Sequence, residues 1–109
     1  MFNVGKLYKI NNYFWMLYPS KDIAAASDAP VTPAAREGHV AGWAAYYSDY
    51  WSKKLKCNVT YIYPKDIFCL IEEDGKFLKI LSTNGKIGWI SYPKKQPWAK
   101  GSIEEVTQE

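Results

Sequence analysis

The chain has 109 residues, 48% of them hydrophobic and 17% aromatic, and carries a formal net charge of +3 at pH 7. One domain with a single core fits that length, and so apolar a composition excludes a disordered chain. The mild basic balance permits contact with nucleic acid without demanding it.

Val4 to Ile10 alternates apolar with polar or small residues, the pattern of a strand with one buried face. Asn11-Asn12 breaks it. Tyr13 to Tyr18 is then an apolar run of strand length that stops at Pro19. Two strands around an Asn pair predict a hairpin. Residues 20–33 are small and Ala-rich, which reads as a mobile loop with at most one helical turn.

A helix is expected over 33–56. Thr32 suits the N-cap and Pro33 the first helical position. Asn58 suits the C-cap, and Lys53, Lys54 and Lys56 suit the negative end of the helix dipole. Val40, Trp43, Tyr47, Tyr50 and Lys54 recur at helical spacing, and Tyr46, Trp51 and Leu55 widen that stripe. The aromatic residues are therefore expected to dock on the rest of the domain or on a neighbouring subunit.

The second half reads as β. Val59 to Tyr63 alternates and stops at Pro64. Ile67 to Glu72 leads into a turn at Glu73-Asp74-Gly75-Lys76, and Phe77 to Ser82 into another at Thr83-Asn84-Gly85-Lys86. Asp-Gly and Asn-Gly are strong hairpin signals. Ile87 to Tyr92 closes the meander before Pro93. A charged tail over 94–109 follows, with a short helix expected at Ser102 to Val106.

No catalytic or metal constellation emerges, so neither an enzyme nor a cofactor is expected. His39 is the single histidine, and Cys57 and Cys69 lack the close spacing of a zinc site. Glu72, Glu73 and Asp74 sit at a hairpin tip and not across a cleft. The opening Met1-Phe2-Asn3-Val4-Gly5-Lys6 has no charged leader followed by an apolar stretch, and no apolar run reaches membrane-spanning length. A cytoplasmic chain with reduced thiols is expected.

Arg36 is the sole Arg among 14 basic residues. Bidentate reading of guanine favours Arg over Lys, so loose contact with a phosphate backbone fits better than sequence-specific recognition. The candidate nucleic-acid-binding residues are Lys53, Lys54, Lys86, Lys94, Lys95 and Trp98. Lysines interleaved with aromatic residues suit single-strand binding by charge and stacking.

Leu70-Ile71-Glu72-Glu73-Asp74-Gly75-Lys76-Phe77-Leu78-Lys79-Ile80, followed by Gly85-Lys86-Ile87-Gly88-Trp89-Ile90, resembles the meander of a Src-homology-type small β-barrel. The whole chain resembles a family of small proteins from cyanophages and marine metagenomes. The carriers are Met1 to Tyr8, Leu17-Tyr18-Pro19-Ser20-Lys21, the Ala-rich insert and Tyr50 to Tyr61. That family is similar in fold to Sm-like proteins, five-stranded bent barrels that assemble into rings.

The resemblance implies a mainly β chain over 1–109, with one small five-stranded bent SH3-like or Sm-like barrel and the helix 33–56 inserted. For function it implies only a suspected nucleic-acid binding; a homo-oligomeric ring that binds RNA or single-stranded DNA with little sequence specificity is the expectation, in a bacterial host's cytoplasm if the chain is phage-encoded. Sm proteins that bind RNA carry an Asp-hydrophobic-Asn loop, which this chain lacks. Asn84-Gly85-Lys86-Ile87-Gly88 matches their second loop in part, so a uridine-reading site does not carry over. The aromatic surplus supports an alternative, a phage-derived protein-interaction or assembly module without nucleic-acid binding.

Overall fold

Alternation of side chains builds the larger sheet. The structure, a computed structural model, describes residues 2–11, 15–26, 40–62, 65–92 and 102–106. In β4 (Ile67–Asp74), β5 (Phe77–Ser82) and β6 (Ile87–Ser91), Phe68, Leu70, Leu78, Ile80 and Ile90 are fully buried. Their neighbours point to the opposite face, as the two-residue period of a strand requires, where Phe77 and Trp89 are half-buried against a second core.

Asp74 pairs with Phe77, which leaves Gly75-Lys76 as the hairpin loop. Gly75 has φ +61° and Lys76 has no positive φ, the requirement of a type II′ turn. The turn thus falls one residue later than the expected Asp-Gly. In the next turn Gly85 has φ +91°. There the buried Ser82 hydroxyl accepts the Lys86 N–H at 3.1 Å and donates to Asn84.

β1 (Leu7–Ile10) lies between β4 and β7 (Ile103–Glu105), giving a five-stranded antiparallel sheet in the order β6-β5-β4-β1-β7. The expected helix at 102–106 is therefore a strand. Asn11 N–H donates to the Ser102 carbonyl and Val106 N–H to the Leu7 carbonyl, each at 2.8 Å. So short a segment is a poor isolated helix, whereas pairing with β1 satisfies its backbone and buries Ile103.

The expected hairpin around Asn11-Asn12 does not form. β2 (Trp15–Leu17) pairs with β3 (Thr60–Ile62) in a separate two-stranded sheet. Trp15, Leu17 and Ile62 face the same core as the larger sheet. Among the described residues the two sheets are joined by a bridge at which Tyr18 and Trp89 exchange backbone hydrogen bonds of 2.8 Å each way. Gly88 permits the approach: a Cβ there would lie 2.6 Å from the Tyr18 carbonyl oxygen and 2.9 Å from Leu17 Cγ.

The opposite face of the small sheet carries a second core. Met16, Tyr18 and Val59 pack there with Ala24 and Trp51 from two helices. Burial on both faces explains the uninterrupted apolar run of β2. The first helix, α1 (Lys21–Ala26), begins where a loop is expected. Ser20 caps it, accepting the Ile23 N–H on its hydroxyl at 3.2 Å, and Ala24 is buried. Lys21 pairs with Asp74 on the β4–β5 hairpin, and that hydrogen bond and charge raise the Lys21 ammonium above its ordinary value. The rest of the Ala-rich stretch lies outside the described residues.

The second helix, α2 (Val40–Leu55), is the described part of the expected 33–56 helix; Thr32 and Pro33 lie outside it. It ends on Lys56, whose φ of +56° is left-handed, while Cys57 N–H reaches back to the Ser52 carbonyl at 3.1 Å. This is a Schellman ending, so the cap falls at Lys56 and not at Asn58.

The architecture is mainly β: a five-stranded and a two-stranded sheet with two helices. Its radius of gyration is 12.9 Å, close to the ~13 Å of a folded chain this long. Among the described residues no helix is long and apolar enough to cross a membrane.

Candidate nucleic-acid interface

The end of α2 is where basic and aromatic side chains come together. The helix packs on β3. Its inner face carries buried Ser48 and Trp51, with Leu55 half-buried. Ser52 fixes the last turn to the sheet: its hydroxyl accepts the Val59 N–H at 2.9 Å and donates to the Val59 carbonyl at 3.1 Å. Lys53 and Lys54 are therefore presented from an anchored turn.

The outer face differs from the expected stripe. Tyr50 and Lys54 point to water, and Tyr46 and Tyr50 are 60% and 45% exposed. The side chains of Trp43 and Tyr47 lie outside the described ones. Tyr50 meets the buried Trp51 ring edge-on, with centroids 5.3 Å apart and planes at 90°. The Lys54 ammonium lies 5.1 Å from the Trp51 ring centroid and 5.7 Å from that of Tyr50, within cation–π range.

Lys53 sits 3.1 Å from the Asp49 carboxylate, one turn earlier, and both side chains are largely exposed. Exposed pairs of this spacing contribute only about 0.3–0.5 kcal/mol. Lys53 can exchange Asp49 for a phosphate at small cost. Lys56 extends the basic surface beyond the helix end and is also exposed.

Lys86 is engaged by β3. Its ammonium donates to the Tyr61 carbonyl of β3 at 2.7 Å and lies 4.8 Å from the Tyr61 ring centroid. The partial Gly-Lys-Gly match in the second turn thus has structural uses: Lys86 ties the turn to β3, and Gly88 makes room for β2. Lys94, Lys95, Trp98 and His39 lie outside the described residues. Cys57 and Cys69 are free thiols, each half-buried. Among the described residues, no group of three or more His, Cys, Asp or Glu side chains could hold a metal ion.

Sequence reasoning placed the two lysines and missed Tyr46 and Tyr50 as surface residues. The missed signal is the pair Ser48 and Ser52. Small residues one turn apart let a helix approach a sheet closely, and with Trp51 and Leu55 they define the inner face. Searches against family models, curated proteins and solved structures return no match.

Proposed function

We propose that the chain is a non-enzymatic, Sm-like protein that binds single-stranded RNA or DNA with little sequence preference. The observation that carries this reading is the anchored, exposed cluster of Lys53, Lys54 and Lys56 beside Tyr46 and Tyr50 at the end of α2. Lysine charge supplies backbone affinity without base specificity, and exposed aromatic rings take any base. The sheet order, with the smaller sheet bridged to β6 over a common core, supports a bent-barrel fold of SH3-like or Sm-like type. β3 and β7 end their sheets, and such edges support assembly into a homo-oligomeric ring.

Fluorescence anisotropy with labelled single-stranded RNA and DNA across a salt series tests the reading. Binding should tighten at low salt. Replacing Lys53 and Lys54 together by Gln should flatten the log–log salt slope by about 1.4, given ~0.7 per lost phosphate contact. Lys86→Met should leave the slope unchanged. Affinity indifferent to salt, or a Lys86 variant as damaging as the helix pair, would sink the reading. A monomeric mass by light scattering would remove the ring.

One observation favours the protein-interaction module instead. Leu7, Cys69, Leu81 and Ile87 are consecutive cross-strand partners on the sheet's outer face. Leu81 and Ile87 are 42% and 58% exposed. An apolar row of this kind suits a protein partner better than a polyanion.

A further inference from the structure

The outer face of α2 holds two exposed tyrosines, at positions 46 and 50, one helical turn apart. Four residues of α-helix rise about 6 Å. Bases stacked in a duplex are ~3.4 Å apart along the strand, with their faces covered by neighbouring bases. The two side chains thus leave the helix ~6 Å apart along its axis, a spacing that suits bases drawn away from one another, each lying on its own tyrosine. A duplex offers no free base face to either ring.

The surroundings favour a charged strand over an apolar partner. Lys53 lies three residues beyond Tyr50, and Lys54 lies against the Tyr50 ring. Lys56 follows at the helix end. Asp49 is the one acidic residue within the last two turns of α2, and its only described ion pair is with Lys53. The buried Trp51 ring backs Tyr50 from inside.

We propose that Tyr46 and Tyr50 form a stacking platform for unpaired bases, flanked by lysines that hold the phosphates, and that this platform makes the protein select single strands over duplex. The platform rests on the nucleic-acid reading above and adds how the rings are used, one unpaired base on each, and the rejection of duplex that follows. Stacking uses the ring face and not the hydroxyl, so Phe serves as well as Tyr at either position. Asp49 competes with phosphate for Lys53, so its removal strengthens binding.

The test measures anisotropy of a labelled single strand and of the matching duplex with the full chain and its variants. Tyr46→Ala and Tyr50→Ala should each weaken single-strand binding about tenfold, within the range of one base–ring stack. The salt slope and the duplex affinity should not move, and Tyr50→Phe should bind as the parent does. Asp49→Asn should tighten single-strand binding severalfold and steepen its salt slope. Circular dichroism of each variant checks that α2 remains folded. If both alanine variants bind as the parent while the Lys53 and Lys54 variant does not, the platform is wrong and the lysine-based reading survives. Duplex bound as tightly as single strand also overturns the platform. If the parent chain binds neither, the underlying reading fails and the platform with it.

Discussion

Gly88→Ala should lower the stability of the protein by about 3 kcal/mol, the upper end of the cost of overpacking. The added methyl would sit 2.6 Å from the Tyr18 carbonyl oxygen and 2.9 Å from Leu17 Cγ. A flexible side chain could turn away, but the carbonyl cannot. It accepts the Trp89 N–H at 2.8 Å in the bridge that joins the two sheets. Relief of the clash therefore requires β2 to move off β6, which opens both cores at their common wall. Urea unfolding followed by tryptophan fluorescence measures the loss. A change below about 1 kcal/mol would mean that β2 can shift without breaking the bridge.

Phe68→Ala should cost more, about 3–5 kcal/mol, as expected for a large aromatic removed from a close-packed core. Phe68 is fully buried near the start of β4, opposite Tyr8 on β1 and Ser82 on β5. Its ring stacks on Tyr8 with centroids 5.8 Å apart and planes at 29°. Truncation removes that pair and leaves a cavity under two neighbouring strands. The midpoint of urea unfolding should fall with little change in the dependence on denaturant. A loss of 1 kcal/mol or less would show that the core collapses into the gap.

How much of this was legible in advance depended on whether a segment's structure is decided locally. β4, β5 and β6 were readable because alternation and glycine turns specify a meander within a few residues. The shift of the first turn from Asp74-Gly75 to Gly75-Lys76 is a one-step slip in that local code, since Gly is favoured at either central position. The sequence pattern marks β1 and β2 as strands but does not specify their partners, which are β4 and β7 for β1 and β3 for β2. Asn11-Asn12 marks a break in a strand and says nothing of whether the chain then turns back or crosses to another sheet.

Ile103 to Glu105 is a strand where a helix is expected because Glu104 and Glu105 favour helix only weakly, while the open side of β1 favours a strand strongly. α1 is an ordered helix where at most a transient turn is expected, for the opposite reason. Its Ser20 cap is local and visible, but a helix of so few turns holds only because Ala24 and Ile23 pack in the second core. At the candidate interface, Lys53 and Lys54 were legible from the helix dipole. Tyr46 and Tyr50 were not, because helical spacing groups residues on a face without saying which face meets the sheet.

The strand order also sets how the chain must find its fold. β1 has no partner close to it in sequence: Leu7 waits for Cys69, and Ile10 for Ile103. Large loops must close before the central pairings form, and closing them costs entropy before any contact repays it. The hairpins of β4, β5 and β6 can form on their own within microseconds, whereas registration of β1 against β4 places folding on the slower, millisecond-to-second scale of β-rich domains. Stopped-flow refolding should show this directly: Leu78→Ala, inside the meander, should slow folding more for its stability loss than Ile103→Val on the C-terminal strand β7.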